Sequence, residues 1–375
     1  MPQNGNIIPI ISKASPLCFL PNNDLVCYQH GRILILRNGI EHHSLPVFAS
    51  LKEKVLGKSR ALTRLCRLGV RTAIAINDDI IIVSVGNCLY EINLRTGKLS
   101  DGFCCGEGIR PLAFSSVKSV RGFDNGIFFG GYLRNTFKKA THVYRRIDTD
   151  LWEIAYTFAP GVINHVHNVV ADIYRDCLWV FTGDFDDAAA IWKVTNNFQK
   201  VDRIVYNNQK YRGCVVFPQP EGLLYATDSP FADNYINLFD PESLETKEIF
   251  PLHGSSIYGC KWRNEFVFSS TVEGNGGDKS LWEFCFGKKR GTGIKDEYVH
   301  MYMGNLKKGF WEIYKEKKDY LPYNLFQFGA FRFPSGVNNT NQLFFMPIAT
   351  FNHDLDLMCC SIDEEKYDNF RNMGR

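Results

Sequence analysis

A chain of 375 residues, 45% of them hydrophobic, holds enough apolar material for one large core and is too apolar to stay disordered. Its 43 Lys and Arg nearly balance 40 Asp and Glu, for a formal net charge of +3, which excludes the basic surplus of a general nucleic-acid binder. No stretch reaches the roughly 18 apolar residues of a membrane-spanning helix, and the first residues lack the basic start of a secretory leader.

In chain order, the run 6–11 reads as a strand able to complete a blade begun at the other end of the chain. A first β-rich unit covers 17–44, and a Leu-, Lys- and Arg-rich helical insertion is expected near 51–70. Further β-rich units follow at 72–99, 111–158, 168–205, 213–250, 257–284 and 325–360, broken by Gly, Asn and Asp turns. A second helix is expected over 307–318. The unit at 168–205 is the clearest, with Cys177-Leu178-Trp179-Val180-Phe181 as its second strand and Ala190-Ile191-Trp192-Lys193-Val194 as its third. In the unit at 257–284, Ser280-Leu281-Trp282-Glu283-Phe284 reads as the third strand.

Each unit passes from a small or polar strand through a very apolar one to a more polar outer strand. That order suits the blade of a propeller, whose inner strands are covered on both faces. The 29 Phe, 17 Tyr and 6 Trp fit the same picture, because aromatic rings pack well on pleated sheets. The predicted fold is all-β: a single β-propeller over 1–375 with about six or seven four-stranded blades.

Twelve cysteines are present. Cys66, Cys88, Cys177, Cys214, Cys260 and Cys285 lie in apolar, strand-like runs, and Cys104-Cys105 and Cys359-Cys360 lack the spacing of a zinc site. Buried, reduced thiols and a cytoplasmic setting are therefore expected.

The segment Tyr144-Arg145-Arg146-Ile147-Asp148-Thr149-Asp150-Leu151-Trp152 resembles the Asp-box turn of sialidase-like propellers, with Asp148 and Trp152 in place and the Ser and Gly missing. The stretch 143–192, centred on His165-Val166-His167-Asn168 and Leu178 to Asp184, is similar to sialidase-like propellers of bacterial polysaccharide-related proteins. Roughly half the chain, 110–282, shares the pattern. The resemblance implies contact with carbohydrate. Sialidases use an arginine triad, a Tyr nucleophile with a Glu partner and an Asp acid/base, and none of these is placed here by motif.

Ligands of propellers gather where the first strands of the blades open onto the central channel. His165 and His167, two residues apart on a strand, project to one face and can move protons or share a divalent metal ion. Arg71, Arg121, Arg212 and Gln327 occupy comparable positions in other blades and suit the acid group of a sugar, since guanidinium forks bind oxyanions. Tyr258 joins the two histidines as a catalytic candidate. Asp184 and Asp228 end apolar strands at matching positions and read as turn carboxylates, while Glu273 sits in a loop that could reach the pocket. Gly274-x-Gly276-Gly277 lacks the strand-to-helix setting of a nucleotide loop. The expected function is a carbohydrate-active enzyme, hydrolase or polysaccharide lyase, that cleaves an acidic glycan. The alternative is a non-catalytic propeller holding a glycan or protein in polysaccharide biosynthesis.

Overall fold

The structure, a computed structural model, describes residues 6–48, 51–275 and 280–361. Its strands form seven four-stranded antiparallel sheets arranged as a single β-propeller. Six blades use strands in chain order: 15–46, 72–104, 110–158, 165–206, 213–252 and 258–317. The seventh takes Ala330–Arg332, Gln342–Ile348 and Leu357–Ser361 from late in the chain, and its outer strand, Asn6–Ile11, from the beginning. In that last pair Asn6 lies opposite Ser361 and Ile8 opposite Cys359, so backbone hydrogen bonds close the ring.

Burial follows the strand order within a blade. In the fourth blade Cys177–Gly183 is buried at every position, whereas the outer strand of the first blade, Ile40–Pro46, is mostly exposed. The core is a set of seams between neighbouring sheets. Between the third and fourth blades, Val117, Phe128, Val143 and Phe158 meet Val166, Val180 and Trp192, with Phe158 and Trp192 edge to face at 5.0 Å. Burying each such ring stabilises the fold by about 1.5–3 kcal/mol. Where a seam buries polarity it also pairs it: the Trp179 indole donates to Asp172 Oδ2 at 2.8 Å, and Arg175 Nη1 donates to the same oxygen at 3.0 Å.

The insertion after the first blade contains two short helices, Leu51–Leu56 and Arg60–Leu65, with Ser59 capping the second. Buried Arg64 pairs with Asp319 and lies 3.5 Å from Asp354, while Arg60 meets Asp356 at 2.9 Å. These ion pairs tie the insertion to the seventh blade, beside the channel mouth.

Two expectations for the sixth blade are corrected together. Residues 281–286 form a helix, not the third strand, because Ser280 Oγ accepts from the Glu283 N–H at 3.2 Å while the Glu283 carboxylate accepts from the Ser280 N–H at 3.1 Å. This reciprocal cap offsets the strand-like composition of the run. The third strand is Tyr298–Asn305, and the helix expected over 307–318 is instead its partner, Gly309–Lys317, with Tyr302 opposite Glu312.

The cysteine expectation also changes. Cys88 and Cys104 face each other on adjacent strands of the second blade and form a disulfide, while ten others are free. Cys66 caps a helix and Cys285 lies within one, so neither is a strand residue. At the Asp-box-like turn, Asp148 and Trp152 do flank the link between third and fourth strands. The Asp148 carboxylate accepts from the Thr149 N–H at 2.7 Å, and Trp152 is buried against Phe129. No helix among the described residues is long and apolar enough to cross a membrane.

Candidate functional site

First strands start at the channel mouth, and the loops joining second to third strands turn back over it. Residues at these two places therefore converge from blades far apart in sequence. They enclose, with the helical insertion as a partial cover, a cavity of about 450 Å³. Arg67, Arg71, Arg110 and Arg332 form one side, and Asp184, Arg212, Asp228 and Glu273 the other, with Tyr258 and Gln327 also lining the space.

On the arginine side, Arg332 donates to Ser15 Oγ at 3.2 Å and to the carbonyls of Val70 at 3.3 Å and Arg71 at 2.5 Å. Arg67 donates to the Asn324 carbonyl at 2.9 Å, and the Arg110 guanidinium stands 5.4 Å from the centre of the Tyr132 ring. Among the described residues, none of these four arginines forms an ion pair with a carboxylate. Arg71 Nε is buried without a hydrogen-bond partner. Burial, helped by the neighbouring positive charges of Arg110, Arg332 and Arg67, pulls the Arg71 guanidinium down to about 10. Burial likewise lowers Arg67. This side is positive charge in search of an anion.

The opposite side is the reverse, a closed network. Asp184 Oδ1 lies 3.0 Å from Arg212 Nη2, 3.2 Å from His165 Nε2 and 3.3 Å from His167 Nε2. Arg212 reaches Asp228 Oδ2 at 3.4 Å through Nε and donates through Nη1 to the Asp184 carbonyl at 3.1 Å. Burial alone would raise Asp184, but the two histidines and the Arg212 charge hold its carboxyl well below the usual range. Asp228 is different: burial, only partly opposed by Arg212, pushes it up to about 7, and its Oδ1 has no hydrogen-bond partner. Burial pushes His167 down to about 4 against the pull of Asp184. Two carboxyls on one guanidinium are thus shifted in opposite directions.

Local sequence explains the network. His165 opens the first strand of its blade, and an irregularity in register between Val166 and Asn168 brings His167 beside it. Residue 183 is glycine because a Cβ there would stand 2.3 Å from His167 Cε1. Asp184, the next residue, is thereby delivered to both rings.

Of the residues expected from sequence, Arg71, Arg212, Tyr258 and Gln327 line the cavity. His165 and His167 are gathered with Arg212 through Asp184 but are themselves buried, at 3% and 2% exposure, behind that carboxylate. The structure does not bring Arg121 to the site. It sits on an exposed turn after the first strand of the third blade, the end away from the mouth, with its side chain 87% exposed and paired to Asp176 at 3.2 Å. The blade supplies Arg110 instead, the opening residue of that strand. Its place at the start of the first strand, matching those of Arg71 and Arg212, is the signal that could have found it. Arg67 and Arg332 carried no such signal, since the insertion and the short Ala330–Arg332 strand break the register of the repeat.

Beyond the cavity, the loops from second to third strands of five blades each expose an aromatic ring: Phe137, Phe185, Phe231, Trp282 and Phe351. Phe185 and Phe231 directly neighbour one another, with centroids 6.1 Å apart.

No family model matches this chain, and no curated protein matches it. Solved structures do. A chain of the mitotic checkpoint complex aligns with TM-score 0.56 at 7% identity, covering 96% of this chain and 95% of that one. The β-propeller domain of Cps50 (Swd1) from Myceliophteria thermophila aligns at 0.53 and 9%, over 96% and 100%. The extracellular domain of the putative hybrid two component system BT4673 from B. thetaiotaomicron aligns at 0.54 and 8%, over 96% of this chain and 40% of that one. At such identities the likeness is one of fold alone.

Proposed function

We propose that the cavity receives the acid group of a carbohydrate and that the protein is a carbohydrate-active enzyme cleaving an acidic oligosaccharide. The observation that carries this reading is the set of four cavity arginines without a carboxylate partner among the described residues. A sugar carboxylate would supply the missing charge and accept the fork of donors that the half-buried guanidinia offer. The ring of exposed aromatics suits the flat faces of further sugar units, and the resemblance at 144–152 to sialidase-like propellers points to the same ligand class. Ten free cysteines against one disulfide support a reducing, cytoplasmic setting.

Elimination fits this site better than hydrolysis. Most glycoside hydrolases use two available carboxyl groups facing each other, and Asp184 is committed to Arg212 and two histidines. In an elimination the arginines neutralise the carboxylate and so acidify the adjacent C–H. Asp228 takes that proton, the electron pair forms the ring double bond, and the glycosidic oxygen leaves with a proton from Tyr258. His165 and His167 position Asp184 and, through it, Arg212. The same commitment of Asp184 favours a second reading, a propeller that binds the acidic glycan without cleaving it.

The test is calorimetric titration with uronic- and sialic-acid oligosaccharides and with neutral oligosaccharides of equal length, followed by assay for unsaturated products. Arg71→Gln and Arg110→Gln should each weaken binding of the acidic ligands about tenfold or more, as expected for loss of a charge-assisted hydrogen bond. Neutral ligands bound as tightly as acidic ones would refute the reading. Binding without product would select the non-catalytic form.

A further inference from the structure

We propose that His165, His167 and Asp184 form a site for one divalent transition-metal ion, zinc foremost, at the back of the central cavity. The three atoms involved are nearly equidistant. The Nε2 atoms of the two histidines are 3.0 Å apart, and Asp184 Oδ1 lies 3.2 and 3.3 Å from them. An ion about 2.1 Å from each would stand roughly 1 Å out of their plane, leaving its remaining positions to water or ligand.

Hydrogen bonding explains why these atoms suit a cation. His165 Nδ1 donates to the Leu133 carbonyl at 2.9 Å, which leaves Nε2, the nitrogen that carries the lone pair in the neutral ring, to face the triad. That lone pair faces the Nε2 of His167 and a carboxylate oxygen, so electron-rich atoms converge in a buried place where at most one proton can be shared between the rings. The Asp184 side chain, 26% exposed, forms the side of the triad that opens on the cavity. Arg212 shares the same Asp184 oxygen, and its second carboxylate, Asp228, stands ready to take up the guanidinium charge when an ion binds.

A rival cluster shows the contrast. His253, Asp296 and His300 also converge, on the fifth and sixth blades. There His300 meets Glu312 through Nδ1 and Asp296 at 3.0 Å through Nε2, so both ring nitrogens already face carboxylates and neither is left over for an ion.

This inference does not rest on the carbohydrate reading: chelated protein that still binds acidic oligosaccharide would leave that reading intact. The experiment titrates chelator-treated protein with zinc alone by calorimetry and with cobalt(II) by visible absorption. One ion per chain is expected, with affinity reduced about tenfold or more in His167→Gln and in Asp184→Asn and unchanged in His253→Gln. Absence of stoichiometric binding, or loss confined to His253→Gln, would overturn the proposal. Because His167 is buried and its variant could fail to fold, an anomalous-scattering map of wild-type crystals grown with zinc provides the second reading. A peak between His165, His167 and Asp184 supports the site, and zinc bound only elsewhere refutes it.

Discussion

The two sides of the central cavity are built from the same kinds of residue and differ in whether their charges are answered. On one, Arg212 lies between Asp184 and Asp228 and both carboxylates meet it within 3.4 Å. On the other, Arg67, Arg71, Arg110 and Arg332 share space with one another and with carbonyl groups. Paired charges fix shape, whereas a cluster of like charges destabilises the empty protein and is relieved by a ligand. Stability and binding should therefore respond oppositely to loss of an arginine on the two sides.

The largest effect is expected on the closed side. Arg212→Met leaves two buried carboxyls without their cation and should destabilise the protein by about 3–5 kcal/mol, read from the midpoint of urea unfolding. Replacing an open-side arginine, as in Arg71→Gln, should instead leave stability unchanged or raise Tm by roughly 1–3 °C while weakening acidic ligands. A loss of stability in Arg71→Gln equal to that in Arg212→Met would erase the distinction.

Asp228 sharpens the comparison through pH. Its folded value of about 7 lies above the ordinary carboxyl value of 3.8, so between these limits the folded state holds a proton that the unfolded state has released. Its contribution to stability falls as pH rises through that window and stays at its lowest above it. Asp228→Asn in the presence of chelator should thus gain roughly 2 °C or more in Tm at pH 8 relative to wild type and little at pH 4. An equal effect at both pH values would mean that Asp228 titrates normally. The smallest effect is expected at the rim. Trp282 is 72% exposed, so Trp282→Ala should change stability by less than about 0.5 kcal/mol while weakening longer oligosaccharides and sparing single sugars.

How far the sequence could be read depended on how local each signal was. The fourth blade was legible strand by strand because its strands are short, apolar and joined by turns of a few residues. The sixth was not, because its second and third strands, Glu265–Ser269 and Tyr298–Asn305, are separated by a long insertion containing a strand-like run that its own cap folds as a helix. The repeat also located Arg71 and Arg212 on the cavity wall, since the opening of each first strand faces the mouth. It did not yield Arg110, because the unit as read starts one residue later, at 111, and Arg121, beyond the end of that first strand, stands as its counterpart. Asp184 and Asp228 were read as turn residues, and they do follow second strands, but only assembled blades place Arg212 between them. The disulfide was hidden for a similar reason: Cys104 meets Cys88 across a two-residue strand, Phe103–Cys104, too short to leave a pattern.

The most direct test of the central claim is a crystal structure with a short uronic-acid oligosaccharide. The ligand carboxylate is expected within hydrogen-bonding distance of at least two of Arg71, Arg110 and Arg332, with the remaining sugar rings directed toward Phe185 and Phe231. A ligand whose acid group points to solvent, or one bound outside the cavity with those arginines unmoved, would contradict it.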